Sequence, residues 1–298
     1  MQKILATSLL LINLLASNTY AQTQLQYKLK IGDSILVHQQ ANQKITQDID
    51  GIMQQMTNVL ESKFVLVVKK VTDSSYILDF NYKLFKLLSS SNTYGEIFSI
   101  DTSADFEKDN MEAAIFSGLT QSKLKIELLK TGKIIAVRGT TQLINNMMER
   151  AGIQDEFTKQ IMIEEMKKEF GSKSLSDSFE QFTFIYPTKK VVVNESWKND
   201  FTGEIESENI WTLKAVSPNI DIQGVAHVSI NSVEENYNMV LNGDQKTHIS
   251  ADVKTGVVKT MSVTSKTRGN TVSLQNNSIK IPTTINSVTT YKTKLYVQ

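Results

Sequence analysis

Three histidines, a set of helical carboxylates and a cluster of methionines are the side chains with which this sequence could do chemistry. His227 shares one face of an alternating segment with Asp221, Gln223 and Ser229, opposite Ile220, Ile222, Ala226 and Val228. His248 likewise shares a face with Lys246, Ser250 and Asp252, opposite Ile249, Ala251 and Val253. Imidazole and carboxylate suit zinc, so neighbouring strands that brought His227, His248 and Asp252 together would make a metal site. The plain alternative is a pair of solvated rings, and His38 stands apart from both. The sequence assigns no metal ligand, no catalytic residue and no cofactor. Glu164, Glu165 and Glu169 alternate with lysines at helical spacing, and a Glu164–Lys168 pair on a solvated face accounts for them. Carboxylate pairs that cleave glycosides are assembled by the fold and not by spacing, and nothing singles one out.

Two Lys-Thr-Gly triplets, Lys130-Thr131-Gly132 and Lys254-Thr255-Gly256, match one motif of the serine β-lactamases and penicillin-binding proteins. That chemistry also needs a helical Ser-x-x-Lys and a Ser-Asp-Asn loop. Ser122-Lys123-Leu124-Lys125 has the first spacing but a strand-like alternation, and Ser-Asp-Asn is absent. A triplet that recurs at two hairpin tips is turn chemistry. There is no His-Glu-x-x-His, no Gly-x-Ser-x-Gly and no phosphate-binding glycine loop. Asp48-Ile49-Asp50-Gly51 lacks the ligand spacing and closing glutamate of a calcium loop. Without cysteine, a thiol nucleophile and cysteine-ligated zinc are excluded. Met147, Met148, Met162 and Met166, with Met111 nearby, could form a flexible lid on an apolar cavity; the simpler reading is that they fill the core between helix and sheet. Trp197 and Trp211 are core or rim anchors before they are sugar platforms.

The elements that must carry these residues are mostly strands. Val, Ile and Thr interleave with polar residues, which favours antiparallel sheet with one wetted face. Four signals recur in the same order. Tyr27 to Ser34 is matched by Lys190 to Trp197, and Phe64 to Val71 by Ile210 to Val216. Tyr76 to Tyr82 is matched by Ile220 to Val228, and the hairpin Leu129 to Ile135 by Val253 to Val258. Such recurrence predicts an internal duplication. Between the copies, Leu143, Ile144, Met147 and Met148, then Phe157, Ile161, Met162, Met166 and Phe170, recur at helical spacing. They predict two helices in 141–170, broken near Gly152 and ended near Gly171. Ser176-Asp177-Ser178 could then cap a short helical turn on the way to Pro187. Residues 44–60 fit a helix by periodicity alone.

The first 21 residues read as a secretory signal peptide: Lys3, an apolar stretch from Ile4 to Leu15, and small residues before a cleavage site between Ala21 and Gln22. No later run is apolar enough to span a membrane as a helix. Without residues 1–21, which hold one charge, Lys3, the 32 basic and 31 acidic side chains come into balance. Such a chain has no nucleic-acid footprint. An exported protein, periplasmic or extracellular, is expected.

The pattern resembles a group of secreted or lipid-anchored proteins of Bacteroidota catalogued as a family of unknown function. The resemblance rests on Gly32-Asp33-Ser34, on Leu129 to Gly139 leading into a helix, on Phe182-Thr183-Phe184-Ile185-Tyr186-Pro187, and on Val191-Val192-Val193-Asn194-Glu195-Ser196-Trp197. In the last, Asn194-Glu195 stands where the family usually has Gly-Asp. The resemblance implies an extended conformation for residues 44–60. It brings no catalytic residue.

The expected architecture is α+β, mostly antiparallel β. A first β unit (22–140) and a second (186–298) are joined by a helical connector (141–185), with curved sheets and helices against an open face, as in half-barrels that carry lipids or lipoproteins. The leading functional expectation is a non-catalytic binding module for an apolar ligand or protein partner, which requires an apolar cavity beneath the central helices. The alternative is a structural or interaction protein of the cell envelope, with a filled core. An enzyme ranks third.

Overall fold

The computed structural model describes residues 22–105, 110–233, 236–275 and 279–297. The expected signal peptide, with Ala21 of its cleavage site, lies outside the described residues. Twelve strands build one sheet: β1 (Ser34–Ile49), β2 (Ile52–Val71), β3 (Ser75–Ser91), β4 (Gly95–Asp101), β5 (Leu124–Leu129), β6 (Ile134–Arg138), β7 (Ser196–Phe201), β8 (Ile205–Ala215), β9 (Ile220–Val233), β10 (Tyr237–Ala251), β11 (Val258–Ser273) and β12 (Lys280–Tyr296). The order is β6-β5-β3-β2-β1-β12-β11-β10-β9-β8-β7, with β4 paired to β3 beside this path. Every pairing is antiparallel. The two halves of the chain are therefore not separate sheets. They meet where β1 pairs with β12 from Ser34↔Tyr296 to Gln47↔Thr283, and the sheet is open and curved.

Alternation decides which face is covered. In β9, Ile220, Ile222, Gly224, Ala226, Val228 and Ile230 are buried, and the residues that alternate with them lie on the outer face. In β1 the inward series starts apolar with Ile35 and Val37 and continues as Gln39, Ala41 and Gln43. β2, at 20 residues, reaches about 65 Å. The helices cover only part of strands this long, and along the inner face polar residues such as Gln39 and Gln43 give way to a second apolar cluster of Val228, Ile230, Leu241 and Ile285 with Ile45. Residues 44–60 are the two arms of the β1–β2 hairpin, turning at Asp50 (φ 53°) and Gly51 (φ 84°). Their helix-like spacing arises because both faces carry apolar residues near the tip: Ile52, Met53, Met56 and Val59 are exposed.

Four helices are described: α1 (Met111–Gln121), α2 (Thr140–Ala151), α3 (Glu156–Phe170) and α4 (Ser172–Thr183). α2 ends at Gly152 in the left-handed region, and α3 starts at Asp155, whose carboxylate accepts the Thr158 N–H at 2.7 Å. α1 has no counterpart in the sequence reading; Asn110 caps it by accepting the Ala113 N–H. Ser176-Asp177-Ser178 is not a cap but lies inside α4, where Asp177 accepts from Lys173 at 2.6 Å. α4 lies between the two edge strands of the sheet, β6 and β7. Glu180 on α4 accepts the Ile134 N–H at 2.7 Å, and Thr202 donates to Asp177 at 3.5 Å. An edge that would otherwise offer free backbone groups is thereby occupied.

One apolar cluster unites both halves: Phe64, Phe80 and Ile126 pack with Trp211, Ile222 and Ile249 and with Leu143, Ile144, Met147 and Met148 of α2. The entry turns of β1 and β7 are built alike. Lys30 N–H donates to Asp33 and Val192 N–H to Glu195, at 2.8 and 3.0 Å. Gly32 N–H then bonds Val68 as Asn194 N–H bonds Leu213, at 3.0 and 2.7 Å. Gly32 (φ 92°) and Asn194 (φ 71°) both sit in the left-handed region, so Asn194 serves where glycine is usual.

Candidate ligand cavity

α4 spans the open side of the sheet without filling the space beneath it. Leu175, Ser178, Phe179 and Phe182 recur at helical spacing and roof a cavity of about 410 Å³. The floor is the inner face of β1, β2, β3 and β5: Leu60, Phe64, Leu66, Leu78, Phe80 and Ile126. Its aromatic side chains form a connected wall. Phe179 lies 4.7 Å from Phe80 and 6.3 Å from Phe64, and Phe80 meets Tyr82 edge-on at 4.8 Å. Phe182 stacks on Tyr291 at 4.7 Å. Side chains as large as these exclude water from whatever lies between them.

Gln39, Ser62 and Tyr291 form one polar group in the wall. Gln39 donates to the Tyr291 hydroxyl at 3.2 Å and accepts from Ser62 at 3.1 Å. Burial pushes the Tyr291 and Tyr82 hydroxyls well above the usual phenol range, so both stay uncharged. Glu169 is the charged residue of the lining, and it is exposed to solvent. Beyond Gln181, Ile205 and Tyr291, which border both spaces, a second cavity of about 180 Å³ continues along the inner face of β8 to β12.

None of the sequence's reactive candidates converges on a site. His227 and His248 share the outer face, but β9 pairs His227 with Asp244. That leaves His248 four residues further along β10, about 13 Å away. His227 lies 3.9 Å from Asp244, with both side chains exposed, and no group of three potential metal ligands occurs among the described residues. His38 meets Glu61 at 2.8 Å on the same outer face. Glu164 pairs with Lys167 and Glu165 with Lys168, each at 2.6 Å, so the expected Glu164–Lys168 pair is replaced by two pairs three residues apart.

The Lys-Thr-Gly triplets are turns that hold backbone. A Cβ on Gly132 would stand 1.7 Å from the Thr183 carbonyl oxygen, and one on Gly256 2.1 Å from that of Gln26. Ser122 is not in a strand; it caps α1, where its hydroxyl donates to Gly118 and accepts from Asn146, both at 2.9 Å. Met147 and Met148 are fully buried in the core, Met111 is exposed, and no methionine lines the cavity. Trp197 donates to the Ile185 carbonyl at 3.0 Å and Trp211 to Asn199 at 2.8 Å, and both are buried anchors. The lining phenylalanines are not among the site candidates that the sequence singles out. The signal was there in Phe170, Leu175, Phe179 and Phe182, which continue a helical period past Gly171.

A model of the family described as Family of unknown function (DUF6263) matches residues 73–258, more than half of the chain, and the chain belongs to that family. No curated protein matches. Among solved structures, lipovitellin shares the fold with a TM-score of 0.50 at 9% identity, over 90% of this chain and 26% of that one. The chain thus spans about a quarter of lipovitellin's length. An outer membrane channel from Pseudomonas putida F1 aligns over 94% of this chain and 100% of its own, at 9% identity and a TM-score of 0.26.

Proposed function

We propose that this DUF6263 member is an exported, non-catalytic binding protein that holds an apolar ligand beneath α4. The observation that carries the reading is the cavity. Protein interiors pack densely, and voids larger than a water molecule are few. Here a pocket of about 410 Å³, open to solvent beside Ser178 and Glu169, lies between large aromatic walls, within the range of small-molecule sites. A purely structural envelope protein calls for a filled core, so the cavity favours binding over that alternative. The shared fold supports the reading by analogy, since the lipovitellin structure is described in terms of lipid–protein interactions. Export is supported by the signal-peptide pattern of residues 1–21, and no described helix is long and apolar enough to cross a membrane.

The test is a titration of lipid-stripped protein, residues 22–298, with the apolar fluorophore N-phenyl-1-naphthylamine. Saturable binding at one site, blocked by Ser178→Trp at an exposed residue of α4 that borders the cavity, is expected. Absence of saturable binding in a folded protein overturns the reading.

A further inference from the structure

We propose that the ligand is an uncharged amphiphile, its apolar chain beneath α4 and its hydroxyl-bearing head in the adjoining cavity. This rests on the binding reading above and names the chemistry of the ligand. The two spaces share Gln181, Ile205 and Tyr291 in their walls, so one molecule can occupy both. The second lining is mixed: Gln245, Thr267 and Ser287 share it with Phe201, Val228 and Ile285, and no Lys, Arg, Asp, Glu or His lines it among the described residues.

Hydroxyls and amides both donate and accept, which suits a neutral head rich in hydroxyl groups. A carboxylate or phosphate would lose its water there with no cation to meet it, and an unpaired buried charge is strongly disfavoured. Part of the polar lining is already self-satisfied: Ser265 bonds Ser287 at 2.8 Å, and Gln43 accepts from Asn58 at 3.0 Å. Thr267 is different. It is 1% exposed, and its hydroxyl has no hydrogen-bond partner among the described residues. Buried polar groups are nearly always paired; this one is closed off from the empty cavity as well as unpaired, so a head group that displaces the wall beside it would supply a partner.

The experiment displaces N-phenyl-1-naphthylamine from the stripped protein with 1-monooleoylglycerol, and separately with oleate at pH 8, where its carboxylate is ionised. The two share one acyl chain and differ in the head. Monooleoylglycerol is expected to displace at concentrations at least about tenfold lower than oleate. Thr267→Val and Gln245→Leu are expected to weaken monooleoylglycerol severalfold while leaving fluorophore and oleate unchanged. Oleate binding as well as monooleoylglycerol, or variants that change neither, overturns the neutral-head proposal and leaves the apolar cavity standing. Failure of the fluorophore itself to bind overturns both.

Discussion

Replacing Thr267 with valine is expected to make the empty protein more stable. Thr267 lies in β11 opposite Ile285 of β12, is 1% exposed, and holds a hydroxyl without a partner. Leaving such a group buried and unpaired costs roughly 1–3 kcal/mol, and valine has nearly the same shape without the hydroxyl. β-branching is kept, so strand preference is not disturbed. We expect a gain of about 1 kcal/mol in the lipid-stripped protein, or a rise in Tm of roughly 2–4 °C for a chain of this size. Urea denaturation reads it as a higher midpoint with an unchanged slope. With 1-monooleoylglycerol present the advantage should shrink, because the bound head satisfies the hydroxyl in the parent protein and ligand binding adds stability only to the folded state. A variant that is equally or less stable when empty refutes the reasoning, since the hydroxyl would then be satisfied without ligand.

Three further outcomes follow from the geometry. Gly132→Ala should cost more than about 3 kcal/mol, because strain in the left-handed region adds to an overlap with backbone; Gly51→Ala, whose added carbon meets nothing within 4 Å, should lose only about 1 kcal/mol in the same urea assay. Phe179→Ala removes the ring 4.7 Å from Phe80; the half-buried site should lose about 2 kcal/mol of stability and bind N-phenyl-1-naphthylamine more weakly. The Asp101 carboxyl, bonded by Lys86 at 2.8 Å and by Ser103, is held down from 3.8 to about 2. A lowered carboxyl stabilises the fold above its unfolded value, and that contribution is lost as pH falls from about 4 towards 2. Asp101→Asn should flatten this acid limb, by no more than about 1 kcal/mol because the pair is solvent-screened, as read by urea midpoints from pH 5 to pH 2.

Period-2 alternation made the antiparallel sheet legible, since residues such as Ile220, Ile222 and Val228 fix which face of a half-buried strand turns inward. Gly152 and Gly171 also marked the ends of α2 and α3, the first in the left-handed region and the second extended. The closure of β1 on β12 was not legible: nothing in Ser34–Ile49 names a partner some 240 residues away, and that pairing is chosen by the whole sheet. α1 escaped notice because Ala113, Ala114 and Gly118 carry little hydrophobic contrast. Gly118 is nevertheless required there, as a Cβ would fall 2.8 Å from the Met147 backbone. An apolar cavity beneath the helices is what a binding module requires, and the simpler reading of the methionines, as core filler, holds for Met147 and Met148. The roof belongs to the phenylalanines of α4. Spacing reveals which residues face inward, whereas the space left between a helix and a sheet depends on how far apart the fold sets them.

The most direct test of an apolar ligand beneath α4 is native mass spectrometry of the protein expressed with its first 21 residues and recovered without detergent from the compartment it reaches. We expect a reproducible mass above that of the chain, lost on denaturation, extractable into organic solvent and uncharged in its head group. A bare mass that stays bare after incubation with a total lipid extract would contradict it.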